Sequence, residues 1–120
     1  MVKTHDICFR SFDYALRAVK LYQHLQENRD RAGWILGDQY MRAATSVGAH
    51  VEEAQAAESR ADFAHKMNGA QKEARESHYW LRLMLHAQII PEHRLTPLIS
   101  EANELVAILT TIVSRTKASM

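Results

Sequence analysis

Residues 96–113 read TPLISEANELVAILTTIV. Leu98, Ile99, Ala102, Leu105, Val106, Leu109, Ile112 and Val113 recur in steps of three and four, the period of an amphipathic helix. Thr96 followed by Pro97 suits its start, because proline's fixed φ and missing N–H cost nothing at the first helical position. The preceding stretch, Ala87 to Thr96, contains Pro91 and is expected to be non-helical, with Pro91 as an alternative start for this last helix.

The same period extends back along the chain. Ser59 with Asp62 three residues on forms a capping-box-like S-x-x-D. Phe63, Met67, Ala70, Ala74, Ser77, Leu81 and Met84 or Leu85 then make the stripe of a third helix. A second helix is expected from about Arg31 to Ala57, on Leu36, Tyr40, Ala43, Val47, Val51 and Ala54. Gly33, Gly37 and Gly48 each cost about 1 kcal/mol relative to Ala in a helix interior. Gly48 stands among Ala43, Ala44, Ser46 and Ala49, small residues that let two backbones approach closely. Met1 to Arg10 shows no period and is expected to fray, with Ser11 as the N-cap of the first helix. After it, Phe12, Ala15, Val19 and Tyr22 form one stripe, and Tyr14, Ala18, Leu21 and Leu25 a second beside it. Their combined face is wider than one neighbouring helix needs.

Four amphipathic helices with short connections predict an all-α fold, an antiparallel up-down-up-down four-helix bundle, as one domain over residues 1–120. Only four Gly and two Pro are present, too few for the frequent turns of a strand-rich fold. The apolar fraction of 47% and charged fraction of 24% are those of an ordinary globular chain, not a disordered one. Fifteen basic against fourteen acidic residues leave a formal charge of +1, so nucleic-acid binding would need segregation of charge on one face or its multiplication by oligomerisation. The single Cys8 excludes an internal disulfide framework and a multi-Cys zinc site. No run of eighteen apolar residues and no signal-peptide core are seen, and a cytoplasmic location is expected by default.

Residues 39–83 read QYMRAATSVGAHVEEAQAAESRADFAHKMNGAQKEARESHYWLRL. Gln39, Arg42, Ala43, Ser46 and Glu53, then Ser59, Asp62 and Phe63, then Lys72, Glu73, Ala74 and Glu76, and last Tyr79, Trp80 and Leu81 carry a resemblance. The helix-four residues Glu101, Ala102, Glu104, Leu105 and Ile108 extend it. The chain resembles the four-helix-bundle proteins encoded by intervening sequences in bacterial large-subunit rRNA genes. That family is related to the accessory variability determinant proteins of diversity-generating retroelements. The resemblance implies a homopentamer, a basic surface, and binding to nucleic acid or to a reverse transcriptase.

On the third helix Arg75, His78, Arg82 and His86 follow one another at i+3, i+4 and i+4, with Lys72 three residues before Arg75 and Tyr79 alongside. Such a row of cationic donors fits phosphates. The alternative is that Glu73 and Glu76 interleave and make the face a solvated, salt-bridged one. Arg42, Glu53, Glu73 and Glu76 read as register-fixing ion pairs ahead of a ligand site, since unpaired buried charge is costly. Trp34 and Trp80 read as core or interface anchors ahead of base-stacking platforms. The spacings His50-x-x-Glu53, Glu73-x-x-Glu76 and Glu101-x-x-Glu104 could bring metal ligands onto one face, but no Glu-x-x-His of the di-iron bundles is present. Arg60 to His65 and Arg17 to His24 fit the Arg–His spacing of helical ribonucleases, yet ten Arg and seven His give roughly two such matches by chance.

Residues and resemblance together favour a non-enzymatic oligomeric scaffold without metal, cofactor, membrane or evident small-molecule substrate. Its expected contact with nucleic acid or a nucleic-acid enzyme runs through Lys72, Arg75 and Arg82. The alternatives are a purely structural or protein-interaction module and a metal-dependent or ribonuclease-like helical enzyme.

Overall fold

A computed structural model describes the backbone from residue 4 to residue 120 and the side chains from Asp6 onward. Four helices, α1 (Thr4–Gln26), α2 (Arg31–Ala54), α3 (Arg60–His86) and α4 (Thr96–Ala118), run up and down in chain order. A single 3-10 turn at Glu92–Arg94 leads into α4. Each helix packs on the next, while α1 and α4 pack less closely than the consecutive pairs, so the bundle has one loose seam. It measures 50 × 21 × 18 Å.

Local chemistry sets most of the boundaries. Ser59 Oγ accepts the Asp62 N–H at 3.0 Å, and the Asp62 carboxylate reaches back to the Glu58 N–H at 3.2 Å, closing the expected cap of α3. Asp30 caps α2 by accepting the Gly33 N–H at 3.2 Å. Pro97 lies in the first turn of α4 as expected. The connection after His86 is non-helical until the 3-10 turn, and Gln88 adopts a positive φ of 57° there.

The start of α1 is a correction. Ser11 is no N-cap, because the helix already begins at Thr4 and Ser11 is buried inside it. Its hydroxyl donates to the Cys8 carbonyl at 3.2 Å, which satisfies a serine within a helix. The cause is burial of Ile7, fully enclosed one turn earlier. Ile7, Ser11, Tyr14, Ala18, Leu21 and Leu25 thus form one continuous buried stripe with a polar residue hidden in it. Residues 4–10 are helical, and the fraying expected of residues 1–3 lies outside the described residues. Of the two stripes expected on this helix, the one through Tyr14 is buried and the one through Phe12 faces outward: Phe12 is exposed, and Ala15, Val19 and Tyr22 are half-buried.

At mid-height the core is polar as well as apolar. The rings of Tyr14 and Tyr40 meet edge to face, 6.2 Å between centroids. Ser77 donates its one proton to the Ala74 carbonyl at 2.8 Å, so the 2.9 Å contact between Tyr14 and Ser77 has the phenol as donor. The Tyr40 hydroxyl is buried and makes no well-formed hydrogen bond among the described residues, with the Tyr14 phenol at interaction distance. Deleting a buried hydroxyl that lacks a well-formed hydrogen bond removes a desolvation cost and loses at most a weak contact. Tyr40→Phe is therefore expected to leave stability unchanged or raise it by about 1 kcal/mol. Urea unfolding at fixed protein concentration checks this, and a clear loss would mean that the hydroxyl is satisfied.

By length and hydropathy alone the segment Glu92–Ala118 would pass for a membrane-crossing helix. In the bundle, however, Leu98, Ala102, Leu105, Leu109 and Val113 are buried against its neighbours. Half-way along its first half, Glu101 pairs with Arg10 of α1 through two contacts of 2.6 and 3.0 Å. This fork spans the loose seam and holds α1 to α4.

Candidate nucleic-acid interface

On α3 the positions 72, 75, 79, 82 and 86 advance by three and four residues and so share one outward face. Lys72, Arg75, Tyr79, Arg82 and His86 are all exposed there. His78 lies at the flank, half-buried, with its imidazole held below the ordinary histidine range first by desolvation and then by the Arg82 charge. It therefore favours the neutral form more than a free imidazole does, and the permanent cations of this face are the lysine and two arginines. The Arg82 guanidinium lies 5.9 Å from the centre of the Tyr79 ring, within cation–π range. Tyr79 meets Trp80 edge to face at 5.0 Å. Tyr79, Arg82, Leu83 and His86 line a shallow hollow of about 140 Å³.

Glu73 and Glu76 do not interleave with these cations. Both turn toward α2, where Arg42 pairs with Glu76 and lies 3.6 Å from Glu73. Trp80 Nε1 donates to Glu76 at 2.9 Å, which accounts for that indole as an anchor. The expected register-fixing cluster thus forms from Arg42, Glu73 and Glu76, whereas Glu53 is exposed and takes no part in an ion pair among the described residues. Lys72, Arg75 and Arg82 likewise have no carboxylate within 4 Å among the described residues. Their charge is open to an external anion.

The catalytic alternatives fare differently. Among the described residues, no three His, Cys, Asp or Glu side chains converge on a point that could hold a metal. The His50 ring instead covers Gly69, where an added Cβ would come within 3.0 Å of it. Arg60 is tied to the far end of the chain, donating to the Ser119 carbonyl at 2.6 Å, while His65 faces solvent. Trp34 donates to the Asn28 carbonyl at 2.8 Å and braces the α1–α2 turn.

A second surface stands out on α1. Phe9 is 72% exposed, Phe12 66% and Leu16 48%, at steps of three and four that place them on one outward face. Sequence reasoning detected excess apolar width on this helix but missed Phe9, which falls in the segment expected to fray. The signal was present in the spacing of Phe9 to Phe12 and Leu16, and only the late helix start concealed it.

Residues 3–111 match the family of 23S rRNA-intervening sequence proteins. The chain belongs to this family. Among solved structures it is similar to a protein of unknown function from the S23 ribosomal protein family of Bacteroides thetaiotaomicron, with 34% sequence identity and a TM-score of 0.83. That likeness covers 89% of this chain and 97% of the other. No curated protein matches. The helical fold is shared with that solved structure, and the family match indicates no catalytic family. The membership agrees with the motif between Gln39 and Leu83, and the fold agrees with the helical periodicity of the last three helices.

Proposed function

We propose that this intervening-sequence protein is a non-enzymatic, oligomeric helical scaffold that binds nucleic acid through Lys72, Arg75 and Arg82. The observation that carries this reading is the cationic face of α3, left without carboxylate partners among the described residues because Glu73 and Glu76 are engaged by Arg42. Backbone phosphates are the fitting ligand for an evenly spaced cationic row, and Tyr79 offers a ring beside them for an unpaired base. With a chain charge of only +1, symmetric repetition of this face would supply the potential that one copy lacks. The exposed Phe9, Phe12 and Leu16 supply an apolar face for such self-association, and the family resemblance implies five copies.

Light scattering with and without short RNA and a DNA duplex, at low and moderate salt, tests both halves. An oligomer whose nucleic-acid complex weakens as salt rises is expected. Lys72→Gln/Arg75→Gln/Arg82→Gln should reduce the slope of log K against log salt by roughly 2–3, since each lost phosphate contact removes about 0.7–0.9. An unchanged slope would overturn the assignment of these residues. An oligomer that binds neither nucleic acid would move the reading to a protein partner, and a monomer would remove the proposed self-association.

A further inference from the structure

The loose seam between α1 and α4 opens at the start of α4 into a groove of about 450 Å³. Arg17 and Lys20 line it from α1, His93 and Arg94 from the 3-10 turn, and Pro97 and Leu98 from the first turn of α4. No carboxylate among the described residues lines it. None of its three cationic side chains, nor His93, is in an ion pair among the described residues, although the chain as a whole carries almost as many acids as bases. Cations from two separate elements therefore line one concavity without an ion-pair partner among the described residues. A bound anion would supply the counter-charge that such a concavity lacks. The start of α4 adds to the same potential: no side chain caps it, and the positive end of a 23-residue helix opens beside Arg94.

We infer that this groove binds a phosphate-bearing anion, with Arg17 from α1 and Arg94 from the 3-10 turn as guanidinium forks and Lys20 as a further point charge. Planar guanidinium groups match phosphate oxygens through paired N–H donors. The inference does not rest on the nucleic-acid reading of α3, because the groove is built from α1, the 3-10 turn and α4 and shares no residue with Lys72, Arg75 and Arg82. The same phosphate chemistry is offered by a small free anion or by the end or backbone of a nucleic-acid strand.

Amide-resolved NMR titration of the full chain with inorganic pyrophosphate, at low salt, tests the site. Saturable shifts are expected at Arg94 and Leu98 and at the Arg17 side chain, with the amides around Arg75 unmoved. Arg17→Gln/Arg94→Gln should weaken this binding roughly tenfold or more. Lys20→Gln/Arg94→Gln alters only exposed side chains and keeps the test valid if loss of Arg17 perturbs folding. Shifts spread over every basic residue without saturation, or affinity unaffected by either variant, would overturn the inference. Repeating the titration with a short single-stranded RNA separates the two sources. RNA affinity that falls in the groove variants identifies a polymer phosphate, whereas RNA affinity that responds only to the α3 triple variant identifies a small anion.

Discussion

Gly48→Val is expected to destabilise the bundle by roughly 2–3 kcal/mol, read as a lowered midpoint in urea at fixed protein concentration. A Cβ at this position would lie 3.3 Å from the Ser11 carbonyl oxygen, 3.6 Å from its carbon and 3.9 Å from the Phe12 nitrogen. All three are backbone atoms of α1, and the valine methyls would reach further into them. They can retreat only if the helix moves as a body. That movement would draw Ile7 and Tyr14 out of the core and stretch the fork between Arg10 and Glu101. The few tenths of a kcal/mol gained in helix propensity over Gly do not offset this. Gly37→Ala is the contrast. Its Cβ would come within 2.9 Å of Leu25 Cδ1, the end of a side chain that can turn, and Ala recovers about 1 kcal/mol of propensity. That variant is expected to be neutral or stabilising. Equal effects of the two substitutions would show that the close approach of α1 to α2 at Gly48 is not a constraint.

The second large effect is alkaline. Burial pushes the Tyr14 phenol up to about 12, its hydrogen bond to Ser77 opposing this only in part, and burial lifts Tyr40 well above 10 with Tyr14 beside it. An unfolded tyrosine ionises near 10. Below that pH both states are protonated and the full stability is present. Above it the unfolded chain releases protons that the folded chain retains, so unfolding is favoured progressively. By pH 12 Tyr14 alone should remove on the order of 2–3 kcal/mol, and Tyr40 adds to the loss. Thermal melts between pH 8 and 12 should show a steep fall in Tm. Tyr14→Phe/Tyr40→Phe should flatten it relative to the parent, whatever its stability at neutral pH. Parallel curves for the two proteins would refute the buried-phenol account.

Much of this molecule was legible before folding was considered. Thr96–Pro97, the Ser59 cap and the three-four recurrence of Leu, Val, Met and Ala positions are local features, and local hydrogen bonding and helical geometry are enough to read them. So too is the placing of Lys72, Arg75 and Arg82 on one face, and the closeness that Gly48 permits. At Ser11 local chemistry misled, because a serine before a helical stripe looks like a cap until Ile7 is seen to be buried. Tertiary burial outweighed the capping preference there. The sequence offered Glu73 and Glu76 both Arg42 and the α3 cations as partners, and packing chose Arg42 and freed those cations. Packing also turned Phe12 outward and brought Arg17 and Lys20 of the first helix to His93 and Arg94 before the last. Periodicity records which way a side chain leaves its own helix, whereas a site depends on which other helix it meets, and that is determined only when the bundle closes.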